Sequence, residues 1–216
     1  MSAWSAENAT NAYLRSIKMG KRVKEPDTSE FISALVAGTN ARLTVLVCAG
    51  AADSTAALAL VVAAHQTGGE VICILRGVHE LRSSKEALGE CGVDIIKFVI
   101  GDAEILLGSE YYREADCVVV DCTIDNFEGI FATAKGVGKK SMVLGYNAFC
   151  IMGNSRFDGH LLPIGQGLLV SRVDESDGKN RDFSGSGKKS RWVVKVDKFT
   201  GEEHFFRVRN SRGKGV

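Results

Sequence analysis

Apolar and polar residues along this chain fall in blocks. Five short runs are almost wholly apolar: LTVLVC at 43–48, EVICIL at 70–75, DIIKFVIG at 94–101, DCVVVDC at 116–122 and KSMVLGY at 140–146. Between them the apolar residues recur every three or four positions, as in STAALALVVAAHQTGG, SSKEALGECG, AEILLGSEYY and NFEGIFATAKGVG. Runs of the first kind predict strands buried on both faces, and runs of the second kind predict helices. Their regular alternation predicts a doubly wound, mostly parallel sheet. Two helices precede it. One covers 6–20 with Ala9, Ala12, Tyr13 and Ile17 on a stripe, and the other is EFISALVAGT with Thr28 or Ser29 as its cap. Asp53 or Ser54 is the expected cap of the helix after the first strand, and Gly68 and Gly92 mark expected helix stops.

After residue 160 the pattern changes. HLLPIGQGLLVSRV and SRWVVKVDKFTGEEHFFRVR are extended segments without helices between them, and the second predicts a hairpin turning at KFTGEE. The polar DESDGKNRDFSGSGKKS between them reads as a loop. The expected architecture is a Rossmann-like α/β sheet finished by antiparallel strands. Residues 1–173 would form the main domain, and 174–216 a polar loop and basic hairpin extension packed on it.

Composition changes this picture little. The chain has 216 residues, 45% hydrophobic and 25% charged, as in an ordinary globular protein. No window of about 18 apolar residues occurs, so no membrane partner is expected. The first thirty residues lack the apolar core of a signal peptide and contain acids, which makes the cytoplasm, or cytoplasm and nucleus, the expected compartment. Charge is uneven, at −3 over 1–173 and +4 over 174–216. Trp192, Phe199, Phe205 and Phe206 are interleaved with the tail's basic residues and read as hairpin packing, so no nucleic-acid partner is expected. Cys48, Cys73, Cys91, Cys117, Cys122 and Cys150 form no C-x-x-C pair and read as buried reduced thiols. His65, His79, His160 and His204 lie beside no evident nucleophile, which disfavours a Ser-His-Asp or Cys-His site.

Ligands of open parallel sheets bind outside the carboxyl ends of the strands. Those ends carry CAGAADST with Cys48, Ala49 and Gly50, then Leu75 and Arg76, then Gly101, Asp102 and Ala103, then Asp121 and Asp125, and finally Asn147. Several have a structural reading as well. Gly50 relieves a tight turn, Asp53 and Asp102 cap helices, and Arg76 is a solvated strand-end charge.

The order FVIGDAEILL, ADCVVVDCTIDNF and LLPIGQGLLVSRV resembles the class I small-molecule O-methyltransferases of the caffeoyl-CoA type. In these a third strand ends in G-D-A, a fourth in V-D followed by D-N-Y, and a late strand starts L-P-x-G-D-G. The opening WSAENATNAYL and the basic extension resemble a plant family of uncharacterised methyltransferase-like proteins. The resemblance implies S-adenosylmethionine as cofactor and a small-molecule substrate. It makes Cys48, Ala49, Gly50, Ser54, Leu75, Arg76, Asp102, Ala103 and Asp121 the cofactor-side residues, with Ser54 beside the amino-acid end, Leu75 at the ribose position and Gly101, Asp102 and Ala103 near the adenine. Asp121 matches a cofactor- and metal-side aspartate, and Asp121 and Asn147 are the candidate catalytic groups. The chain also departs from the pattern. Leu46 stands at an acidic position of the first strand's motif, and Cys48 and Ala52 stand where glycines belong. Leu75 replaces the ribose-binding acid at a strand end, where a restored carboxylate is expected to be exposed and tolerated. Tyr146 replaces one metal-binding carboxylate, so no metal is expected and any activity would be cation-independent. Three readings follow: a methyltransferase acting on a small hydroxylated or carboxylated compound, a non-catalytic protein keeping that fold for binding, and an NADP-dependent reductase with Arg76 at a 2′-phosphate.

Overall fold

The computed structural model describes residues 4–19, 27–52, 54–89, 95–137, 141–151, 159–172, 190–196 and 203–209. The chain divides into two compact units, Met1–Glu175 and Ser176–Val216. In the first, helices α1 (Ala6–Met19) and α2 (Thr28–Gly38) lead into β1 (Leu43–Val47). There follow α3 (Ser54–Thr67), β2 (Glu70–Leu75), α4 (Val78–Leu88), β3 (Ile96–Ile100), α5 (Ala103–Gly108) and β4 (Cys117–Asp121). The unit closes with α6 (Phe127–Gly136), β5 (Met142–Tyr146), β6 (His160–Leu162) and β7 (Leu168–Arg172).

These strands form one seven-stranded sheet in the order β3-β2-β1-β4-β5-β7-β6. The first five pair in parallel, and β7 runs antiparallel to both β5 and β6. The alternation of side chains along each strand divides the core in two. Leu46, Cys73, Leu75, Val119, Leu144 and Tyr146 face α1, α2 and α3. Val45, Val47, Ile72, Ile74, Val118 and Val120 face α5 and α6. Helix α3 carries Ala57, Leu60, Val61 and Ala63 at 0–1% exposure. It is apolar all round because it lies between the sheet and the outer helices.

Helix α2 is capped by Asp27, and not by Thr28 or Ser29 as its sequence predicts. The Asp27 backbone N–H donates to Glu30 Oε2 at 2.8 Å and the Asp27 side chain accepts in return, a reciprocal capping box. Gly68 ends α3 at φ +69°, as expected of a helix stop. Cys48, Cys73, Cys117 and Cys122 are buried, whereas Cys150 is exposed. Its apolar-looking context, AFCIM, begins as a short 3-10 turn and not as a core strand. Asp53, Gly92 and Cys91 lie outside the described residues, as does the predicted loop of the second unit. In that unit β8 (Ser190–Val196) and β9 (Glu203–Arg209) pair antiparallel, with Trp192 opposite Arg207 and Val193 opposite Phe206. Among the described residues, no helix is long and apolar enough to cross a membrane.

Candidate functional site

The carboxyl ends of β1, β2 and β3 open on a narrow cleft of about 70 Å³. Cys48, Leu75 and Arg76 line it from the first two strands, and Gly101, Asp102, Ala103 and Glu104 from the third. Asn126 and Ile124, just before α6, line its remaining side. The structure therefore brings most of the expected cofactor residues together. Ala49 packs beside this group against the α5–α6 side of the core.

The turn after β1 answers the question raised by Gly50. Its φ lies outside the left-handed region, and a Cβ added there would meet no atom within 4 Å. Neither backbone conformation nor crowding requires a glycine, so turn relief does not explain it. What the residue leaves is bare backbone facing open space. Two positions on, the Ala52 N–H donates to Ser84 Oγ at 2.8 Å, and that hydroxyl donates to the Glu80 carbonyl at 2.6 Å. Ser84 is fully buried. A residue of α4 thus fixes the turn, which no sequence motif indicated. Ser54 opens α3, and its side chain lies outside the description.

Leu75 corrects an expectation. The sequence places it at a strand end where a carboxylate would be exposed, but it is 0% exposed and packed into the core beneath the cleft. Strand ends inside a doubly covered sheet remain in the core, and only the next residue, Arg76, emerges. The Arg76 guanidinium donates through both Nη atoms to Asp125 Oδ2, at 3.1 Å each. Both side chains are largely solvated, at 51% and 87% exposure, so this pair contributes little to stability. Asp102 serves as the cap of α5, where Oδ1 accepts from the Ile105 N–H at 2.9 Å. Its capping role and its place on the cleft rim coexist. Glu104 Oε2 accepts from Asn126 Nδ2 at 2.6 Å across the cleft.

At the ends of β4 and β5 the arrangement is different. Asp121 Oδ1 accepts from the Thr123 N–H at 3.0 Å, the Thr123 hydroxyl at 2.8 Å and Asn147 Nδ2 at 3.1 Å. Asn147 holds φ +58°, a left-handed conformation that Asn tolerates better than most residues. Asp121 thus ties the two strand ends together. It lines neither the cleft nor a second pocket of about 210 Å³. The second pocket is lined by Asp27, the cap of α2, and Thr28, its first residue, by Thr55 of α3, by Tyr146 at the end of β5 and Asn147 just after it, and by Gln166. Thr28 Oγ1 donates to the Ile164 carbonyl at 3.2 Å, which seats the β6–β7 loop on this cap. Gly165 fits there at φ +53°, and a Cβ would come within 2.3 Å of Asp27 Oδ1.

Cys122 and Cys150 lie beside these residues. Burial raises both thiols above their ordinary range, and Asp121 raises them further, so neither is a thiolate nucleophile near neutral pH. Cys73 is raised by its hydrogen bond with Cys48, Sγ to Sγ 3.7 Å, and then by burial. Around Asp121 the donor set is one carboxylate, one amide and one hydroxyl, a poor set for a hard divalent cation. Among the described residues, no group of three His, Cys, Asp or Glu stands ready for a metal.

Solved structures share this architecture. A SAH-bound methyltransferase of Podospora anserina is 17% identical, with a TM-score of 0.54 over 80% of this chain and 90% of its own. A Staphylococcus aureus protein assigned as a caffeoyl-CoA O-methyltransferase is 14% identical, with a TM-score of 0.52 over 78% of this chain and 93% of its own. A Salinibacter ruber RNA methyltransferase, in complex with S-adenosyl-L-homocysteine, is 16% identical, with a TM-score of 0.51 over 74% of this chain and 99% of its own. At such identities the likeness establishes the methyltransferase Rossmann-like fold and not the substrate. No curated protein matches the sequence. A family model matches residues 1–208, and the chain therefore belongs to DUF1442, a family described as proteins of unknown function.

Proposed function

We propose that this chain is a methyltransferase-like protein that binds S-adenosylmethionine and transfers its methyl group to an oxygen of a small hydroxylated or carboxylated molecule. The observation that carries the reading is the cleft at the carboxyl ends of β1, β2 and β3, where Cys48, Leu75, Arg76, Asp102 and Ala103 come together. The cleft and the second pocket, at about 70 and 210 Å³, each fall short of the roughly 300 Å³ of an ordinary small-molecule site, and a ligand spanning the strand ends would draw on both. Gly101, Asp102 and Ala103 would flank the adenine, Arg76 the ribose, and Cys48, Ala49 and Gly50 the amino-acid end.

When bound, the cofactor supplies an electrophilic methyl group. The chain's own contribution is positioning, which suits a reaction whose rate depends on bringing an oxygen into line. Asn147 would orient that oxygen from the floor of the second pocket. Asp121 acts through Asn147 by fixing its amide, and Tyr146 closes the pocket's inner wall. No step requires a divalent cation, in keeping with the donor set around Asp121.

A second reading keeps the fold and the ligand without the transfer. The buried Leu75 favours it, because an apolar side chain stands where the related enzymes anchor the ribose. Formation of S-adenosylhomocysteine, followed over a panel of small phenols and hydroxy acids with EDTA present, separates the two. Turnover unaffected by EDTA supports the enzyme. Loss of turnover in EDTA with recovery in Mg²⁺ contradicts cation independence. Binding of S-adenosylhomocysteine without turnover on any acceptor supports the second reading.

A further inference from the structure

The related enzymes hold the ribose by a carboxylate at the end of the second strand, and this chain buries Leu75 there. Another carboxylate lines the same cleft. Glu104, in the first turn of α5, is half-buried and lines the same cleft as Leu75 and Arg76. Its Oε2 accepts a hydrogen bond from Asn126 Nδ2 at 2.6 Å, which fixes the side chain from the opposite βα unit. Gly129 leaves the space this pair occupies. A Cβ at 129 would lie 2.8 Å from both Asn126 amide atoms and 3.0 Å from Glu104 Oε2.

We infer that the Glu104–Asn126 pair is the chain's diol-reading element, a relocated ribose anchor that selects ligands carrying adjacent hydroxyls. The inference rests on the cofactor reading proposed above. A carboxylate offers about four lone-pair sites and Asn126 uses one, so capacity remains to accept from two hydroxyls. The Asn126 amide adds an acceptor oxygen and a second N–H beside them. Hydrogen bonds to an ionised carboxylate are the strong kind, and one held in place by a neighbour loses little freedom on binding. The neighbouring acids, Asp102 in the cleft and Asp125 outside it, are placed for different work. Asp102 caps α5, and Asp125 is turned toward Arg76.

The test compares S-adenosylhomocysteine with its 2′-deoxy and 3′-deoxy counterparts by calorimetry on the full chain. The wild type is expected to prefer the diol by about tenfold over either deoxy form. Glu104→Gln keeps the shape of the side chain and removes the charge. It is expected to bind the diol about tenfold more weakly and to lose most of the preference. Gly129→Ala, which displaces the pair without changing charge, is expected to act in the same direction and decides the matter if Glu104→Gln fails to fold. A wild type that binds S-adenosylhomocysteine, with both variants binding it equally well and with the same preference, overturns this inference alone. A wild type that binds none of the three overturns the cofactor reading and the relocated anchor together.

Discussion

The cleft at the ends of β1, β2 and β3 and the pocket at the end of β5 are built from opposite chemistries. The first is charged: Arg76, Asp102 and Glu104 line a volume of about 70 Å³, with Asn126 joining them from the residues before α6. The second is three times larger, and hydroxyls and amides dominate its lining, with Asp27 the one charged residue there. The difference follows from how each is held. Polar side chains from different βα units meet across the cleft, so its specificity resides in a few exchangeable groups. The pocket is shaped by backbone features, the Asp27 capping box, the left-handed Gly165 and the left-handed Asn147. Side-chain changes should therefore alter what the cleft binds, and backbone changes should collapse the pocket.

The largest effect is expected in the floor of the cleft. Leu75→Asp places a carboxylate at a fully buried site and forfeits the burial of a leucine. A loss of about 4 kcal/mol or more is expected, read as a fall in the urea midpoint, in place of the tighter ligand binding that an exposed strand end would have allowed. A folded variant with tighter S-adenosylhomocysteine binding would mean that water reaches Leu75. Next comes Gly165→Ala, at about 2–3 kcal/mol from the left-handed backbone and the crowding at Asp27. Its melting curve should shift by several degrees, and an unchanged curve would show that the β6–β7 loop is not seated on the α2 cap.

Asp121→Ala removes the acceptor of three hydrogen bonds and should cost about 1–2 kcal/mol. Asp102→Ala should cost about 1 kcal/mol through the lost cap of α5. The structure gives both residues mechanical work, so affinity losses must be compared at matched folded fractions. The smallest effect belongs to Asp125→Asn, within about 0.5 kcal/mol, because the ion pair with Arg76 is solvated. A larger loss by thermal denaturation would mean that the loop before α6 is held mainly by this pair.

The sheet was legible because buried parallel strands read as unbroken apolar runs. β2 matches its predicted bounds, and the other four of the first five strands lie within one or two residues of theirs. The cap of α2 was legible in principle, since Asp27 precedes Glu30 at capping-box spacing, but Thr28 and Ser29 are also good caps and masked it. Burial at strand ends was not legible. Leu75 and Arg76 are neighbours, yet one lies in the core and the other in solvent, a contrast set by the helices over the sheet. Pairs formed between separate βα units were invisible as well. Glu104 and Asn126 stand 22 residues apart, and Ala52 and Ser84 stand 32 apart, with no motif joining either pair.

Calorimetric titration of the wild-type chain with S-adenosylhomocysteine, with NADPH as the competing ligand, tests the cofactor reading most directly. Saturable binding of S-adenosylhomocysteine and none of NADPH is expected, because Cys48, Asp102 and Ala103 meet in the cleft at the strand ends and Arg76 is already paired with Asp125. Binding of NADPH with no response to S-adenosylhomocysteine would contradict the methyltransferase-like reading and return Arg76 to the role of a phosphate anchor.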